Sequence, residues 1–177
     1  MSKEETIKYK TLNKEDNFEL RYYDSRLMAE ICVTATSYND AANIAFDHLS
    51  SYLYGNNITK DSTEGVQMEM MTPVEIEKDD SNDYFVRFLL STEFDMHTAP
   101  IPTDPRIKIC KIKDHKAAVI TFIGNTGDKS IESKRSELVP WIRKNDLQPM
   151  GHPLVAFYSG PYTLWFLKTS EVIYRVK

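Results

Sequence analysis

The sequence predicts an α+β fold in which the order β-β-α-β-β occurs twice within a single domain spanning 1–177. Three observations lead there. Short runs with strict polar–apolar alternation recur along the chain, as half-buried strands require. Two longer stretches instead space their apolar residues by three and four, the period of a helix packed on one side. Between the halves, about 7–97 and 98–177, lies a proline-rich link.

Phe18-Glu19-Leu20-Arg21-Tyr22-Tyr23 alternates, Asp24-Ser25 can turn, and Leu27 to Val33 continues as a second strand, so the pair reads as a hairpin. A helix then runs over 38–54. Ser37 is its N-cap, Asp40 stands three residues on, and Ala42, Ala45, Leu49 and Leu53 face the sheet before Gly55 ends it. After a polar loop, Gln67 to Met71 alternates as a strand with Met68 and Met70 on one face, interrupted at Pro73, which has no N–H for a ladder. Glu69, Glu75 and Glu77 read as its solvated face. Asp79 to Asp83 turns, and Tyr84 to Leu90, rich in β-formers, is the next strand.

Pro100, Pro102 and Pro105 forbid a helix and make a stiff connection. Ile107 to Ile112 and Ala117 to Phe122 form a second expected hairpin around Asp114-His115. A helix over about 129–145 follows, burying Ile131, Leu138, Trp141 and Ile142, with Pro140 as a kink or an early end. Strands over Pro153–Tyr158 and Glu171–Val176, separated by Ser159-Gly160-Pro161, close the chain.

Composition narrows the function. With 41% hydrophobic and 27% charged residues the chain is of ordinary globular make-up, and its net charge of -4 argues against a general nucleic-acid binder. No apolar run approaches the length of a membrane span, and Met1 to Glu5 lacks the apolar segment of a signal peptide, so the expected location is the cytoplasm. Cys32 and Cys110 each sit in an apolar strand-like run and are expected as buried free thiols. Neither Gly-x-Ser-x-Gly, a phosphate-binding glycine loop nor His-Glu-x-x-His occurs, and no enzymatic reaction is read from the chain.

Several stretches together carry a family resemblance. Met70, Pro73 and Val74 stand in register with a Met-Thr-Ala-Pro-Val signature. Phe18 to Tyr23 resembles a Tyr-Glu-Ile-Arg-x-Tyr start, and Ala45-Phe46, Leu49, Tyr52-Leu53 and Gly55-Asn56 match a first-helix pattern. Pro102 to Ile109 is similar to a proline-rich link into a Val-x-Ile strand. Tyr158, Pro161, Thr163, Phe166, Leu167 and Glu171-Val172 follow a C-terminal Tyr-x-x-Pro-x-Thr-x-x-Phe-Leu-Arg-Arg-Asn-Glu-Val order, with Lys168-Thr169-Ser170 in place of Arg-Arg-Asn. On these motifs the chain resembles the SOUL haem-binding family.

The resemblance implies a curved antiparallel sheet, a distorted barrel, packed with two helices, and a non-enzymatic carrier or buffer of haem or another tetrapyrrole. Carried over by position, the ligand groove beside the first helix involves Asn43, Phe46 and Ser50, with Tyr84 on a strand. Asn43 and Ser51 occupy places where other members have basic side chains. Met68 and Met70 read either as core filling or as groove lining. For haem iron the candidates are His48, on the helix flank, and Tyr22, where some members have histidine; the alternative for Tyr22 is a strand tyrosine packed at the surface. Two other readings stand beside this one. The same fold resembles effector-binding domains of transcription regulators, which implies a site for another apolar or cationic small molecule. The third is an interaction protein whose groove takes a peptide from a protein partner.

Overall fold

A computed structural model describes residues 6–62, 64–158 and 168–177. Its elements in chain order are β1 (Tyr9–Glu15), β2 (Phe18–Tyr23), β3 (Arg26–Thr34), α1 (Tyr38–Leu53), β4 (Asn57–Ile58), β5 (Val74–Lys78) and β6 (Asp83–Leu89). They continue with β7 (Ile101–Pro102), β8 (Ile107–Ile112), β9 (His115–Ile123), α2 (Asp128–Lys144), β10 (Pro149–Phe157) and β11 (Thr169–Val176). Nine strands form one antiparallel sheet in the order β1-β2-β9-β11-β10-β5-β6-β3-β8, and β4 pairs with β7 apart from it. The α+β class and the curved sheet are thus as the sequence implies. Pro161, Thr163, Phe166 and Leu167 of the C-terminal motif, and the loop Ser159-Gly160-Pro161, lie outside the described residues.

The strand order forces the curl. Only Asp24 and Ser25 separate β2, second from one edge, from β3, second from the other. In a flat sheet six interstrand spacings would hold these strands roughly 29 Å apart, whereas the three-step link from Tyr23 to Arg26 reaches at most about 11 Å. The sheet therefore bends until its two edges approach, giving a half-barrel.

The same order corrects both expected hairpins. β2 pairs with β1 and β9, and β3 pairs with β6 and β8, so the two bends exchange partners instead of closing on themselves. Adjacent alternating runs with a turn between them carry no information on which distant strand each will meet. β1 has no apolar alternation, since all seven of its residues are exposed at the sheet edge, and only its pairing across the Asp16-Asn17 turn reveals it.

α1 packs on β3, β5 and β6, and α2 on β9, β10 and β11. Ser37 Oγ accepts from Asp40 N at 3.0 Å, as a cap should. Ala45, Leu49 and Leu53 are fully buried, as expected, while Ala42 is half-buried at the helix flank and the adjoining position Ala41 is the buried one. α2 buries the four expected residues and continues past Pro140 to Lys144, so the proline does not end it.

On the face turned away from the helices, Tyr23 of β2, Met28 of β3 and Ile173 of β11 share one buried cluster, which is the inside of the curl. Charges are sunk into this face. Arg26 pairs with Glu75 at 2.7 Å, Arg21 with Glu171 at 2.7 Å, and Arg87 with Glu30 at 2.6 Å and Glu77 at 3.0 Å. Glu75 is 1% exposed. The alternation of acids therefore marks the concave interior for Glu75 and Glu77, and Glu69 alone of the three is exposed. Cys32 is also corrected: it is exposed on β3, whereas Cys110 is partly buried, and both are free thiols.

The strand expected over Gln67 to Met71 is corrected: no strand forms there among the described residues, Thr72 bridges Thr6, and the ladder of β5 begins only at Val74, after a cis Thr72–Pro73 bond. The alternation of the methionines nevertheless holds. Met68 and Met70 pack against the helix-side core and Met71 against the inner cluster.

Candidate functional site

A groove of about 560 Å³ runs along the open flank of α1, between the helix and the ends of β5, β6, β10 and β11. This volume falls within the range of small-molecule sites, roughly 300–1,000 Å³. Phe46 is the helix residue most committed to it. The side chain is 38% exposed and meets Phe88 edge-on at 6.2 Å, while Leu49 and Leu53 of the same helix are fully buried. Met70, Val74 and Phe157 complete the apolar wall, and Asn43, Asp47, Lys168 and Ser170 bring polar groups to it.

Of the residues singled out in the sequence, Asn43, Phe46 and Met70 come together here. The others lie elsewhere. Ser50 is buried and donates its hydroxyl to Phe46 O at 2.5 Å, which turns it into the helix. Tyr84 is 1% exposed beneath α1, with its ring edge-on to Tyr38 at 5.4 Å. Burial holds its hydroxyl above the ordinary phenol range. Met68 is buried, its N–H donating to Leu53 O at 2.7 Å, and it lines a neighbouring cleft with Phe94 and Pro100.

Neither iron-ligand candidate lines the α1 groove. His48 projects from another side of the helix, where its Nδ1 faces Arg106 Nη2 at 3.0 Å and Asp104 Oδ2 at 3.4 Å. Arg106 in turn holds the Asp104 carboxyl down at about 2. Tyr22 lies at the seam of the sheet, lining a separate cleft of about 880 Å³, and donates its hydroxyl to Asp114. That bond raises the phenol pKa, which opposes the phenolate an iron centre would need. Within the groove the iron-ligating types are the thioethers of Met70 and Met71.

Sequence reasoning missed Phe88, Phe157 and Ser170. They reach the groove through pairing: Phe88 opposes Val74, Val74 opposes Phe157, and Phe157 opposes Ser170. The only signal pointing at any of them was the departure of 168–170 from the family pattern.

The described residues thus form a two-helix half-barrel with an apolar groove beside its first helix. The chain belongs to the SOUL heme-binding protein family, whose model matches residues 4–175. No curated protein sequence matches it significantly. Among solved structures it is similar to the C-terminal domain of EcmrR, with a TM-score of 0.66 at 11% identity over 96% of this chain and 98% of that one. A hydrolase from Listeria innocua aligns with a TM-score of 0.64 at 7% identity, over 94% of each chain. SAV2435 bound to tetraphenylphosphonium aligns with a TM-score of 0.51 at 12% identity, over 90% of this chain and 93% of that one. At such identities the likeness is one of fold. None of the described helices is long and apolar enough to cross a membrane.

Proposed function

We propose that the chain is a non-enzymatic binder of haem or another tetrapyrrole, acting as a carrier or buffer, and that the α1 groove takes the macrocycle. The observation that carries this is Phe46, half-exposed at the lip of an apolar slot and edge-on to Phe88, with Met70, Val74 and Phe157 completing the slot's wall. A flat aromatic macrocycle gains by burying its faces against such rings and thioethers. Binding is led by apolar contact, with little contribution from iron, because imidazole and phenolate are not among the groove's described lining groups.

The test is a pair of spectral titrations, with haemin and with iron-free protoporphyrin. Both bind within about tenfold of one another, a gap of roughly 1.4 kcal/mol, and Phe46→Ala weakens both together. A hundredfold preference for haemin that survives Phe46→Ala would overturn this reading.

A second reading is favoured by Asp47, which brings a carboxylate to the same groove, and by the fold shared with the tetraphenylphosphonium-bound protein. On that reading the ligand is a bulky apolar cation. Tight binding of tetraphenylphosphonium that is lost in Asp47→Asn, with no porphyrin binding, would establish it.

A further inference from the structure

The floor of the groove holds one residue its neighbours do not account for. Phe88, Val74, Phe157, Ser170 and Phe122 stand side by side on five adjacent strands. Four members of this row are large and apolar. The fifth is Ser170, 1% exposed, whose hydroxyl has no hydrogen-bond partner among the described residues. Buried hydroxyls are almost always paired, so an unpaired one on the floor of a groove marks a place where a polar group arrives from outside.

Lys168 precedes it by two residues on the same chain. Side chains two apart in an extended segment share a face, and Lys168 is half-buried along the same groove. An ammonium and a hydroxyl donor set side by side are complementary to a carboxylate. Across the groove Asp47 presents the opposite sign from the helix, so an acidic group is favoured at the β11 end and disfavoured at the α1 lip.

We propose that the Lys168–Ser170 end of the groove binds a carboxylate, making the ligand class an apolar molecule with an acidic edge. For a tetrapyrrole, the acid edge carrying its propionates enters at β11 and the apolar edge lies under Phe46. This rests on the tetrapyrrole reading above and adds to it an orientation and a requirement for free acid.

The experiment compares protoporphyrin with its dimethyl ester on the full chain by fluorescence titration. The diacid binds about tenfold tighter than the ester, the worth of one charge-assisted hydrogen bond. Lys168→Met removes that gap by weakening the diacid alone, Lys168→Arg restores most of it, and Ser170→Ala narrows it. Circular dichroism of each variant matches the parent, since Lys168 lies at a strand end. If diacid and ester bind equally, or the gap survives Lys168→Met, the carboxylate site is wrong while the groove stands. If neither porphyrin binds, the groove reading falls and this proposal falls with it.

Discussion

Tyr22 donates its phenolic hydrogen to Asp114, a residue from the other bend of the sheet and 92 positions further along the chain. The contact sits where the two bends exchange strands, and it holds the phenol protonated. Tyr22→Phe is therefore expected to leave the absorbance spectrum of bound haem and its affinity unchanged. His48→Ala, which removes a side chain engaged with Asp104 and Arg106, should do the same. A displaced or broadened haem band in either variant would return that residue to the iron.

Leu49 lies at the centre of the α1–sheet contact and is fully buried. Leu49→Ala should lower unfolding stability by about 2–5 kcal/mol through the cavity it leaves. Denaturant titration measures this, and a loss below about half a kcal/mol would mean that the helix packs by another face.

His115 gives the stability a pH dependence of definite sign. Burial pushes its pKa below the ordinary imidazole value, opposed first by its hydrogen bond to the Lys113 carbonyl and more weakly by Glu75, while the nearby Arg26 and Arg175 add to the lowering. Its Nδ1 donates to Lys113 O at 2.8 Å, leaving Nε2 buried with no partner among the described residues for an added proton. The unfolded chain then binds a proton more readily than the native one. The contribution is complete above about pH 6.5 and is lost as pH falls through the lower native pKa. Melting temperature should decline over that interval, and His115→Gln should flatten the decline. An unchanged slope in the variant would exclude His115 as its source.

The two thiols should separate by accessibility. Burial raises the Cys110 thiol to about 11, and it faces Glu30 at 4.0 Å, whereas Cys32 is exposed on the neighbouring strand. Alkylation of the native protein at mildly alkaline pH should modify Cys32 first and reach Cys110 only on unfolding, with two thiols counted in denaturant. Equal native rates would contradict the burial of Cys110.

What could be read from the chain alone followed local rules. The cap at Ser37, the buried stripe of α1 and the alternation of Met68, Met70 and Met71 depend on near neighbours, and the fold bears them out. Glu75 and Cys32 were misjudged because alternation tells which residues share a face but not which face is enclosed. On β5 the acids point into the curl, where Arg26 and Arg87 meet them, and at Cys32 an apolar-looking run reaches the open end of a strand. The site divides along the same line. Phe46 and Asn43 follow from helix position, whereas Ser170 joins them only through a register spanning four strands.

The exchange of strands between the two bends also constrains how the chain can come to be folded at all. β2 finds β9 only after about a hundred residues have been made, and the outer side of β3 waits for β8. Each half holds some of its own pairings, β1 with β2 and β3-β6-β5 before the link and β9-β11-β10 after it, but β2–β9, β3–β8 and β5–β10 all cross between halves, so each half made alone leaves unpaired edges. Such long-range pairing makes for slow, late assembly. A nascent chain stalled in the link would present unpaired strands to the cell, and their protection until synthesis ends becomes part of what this fold requires of its surroundings.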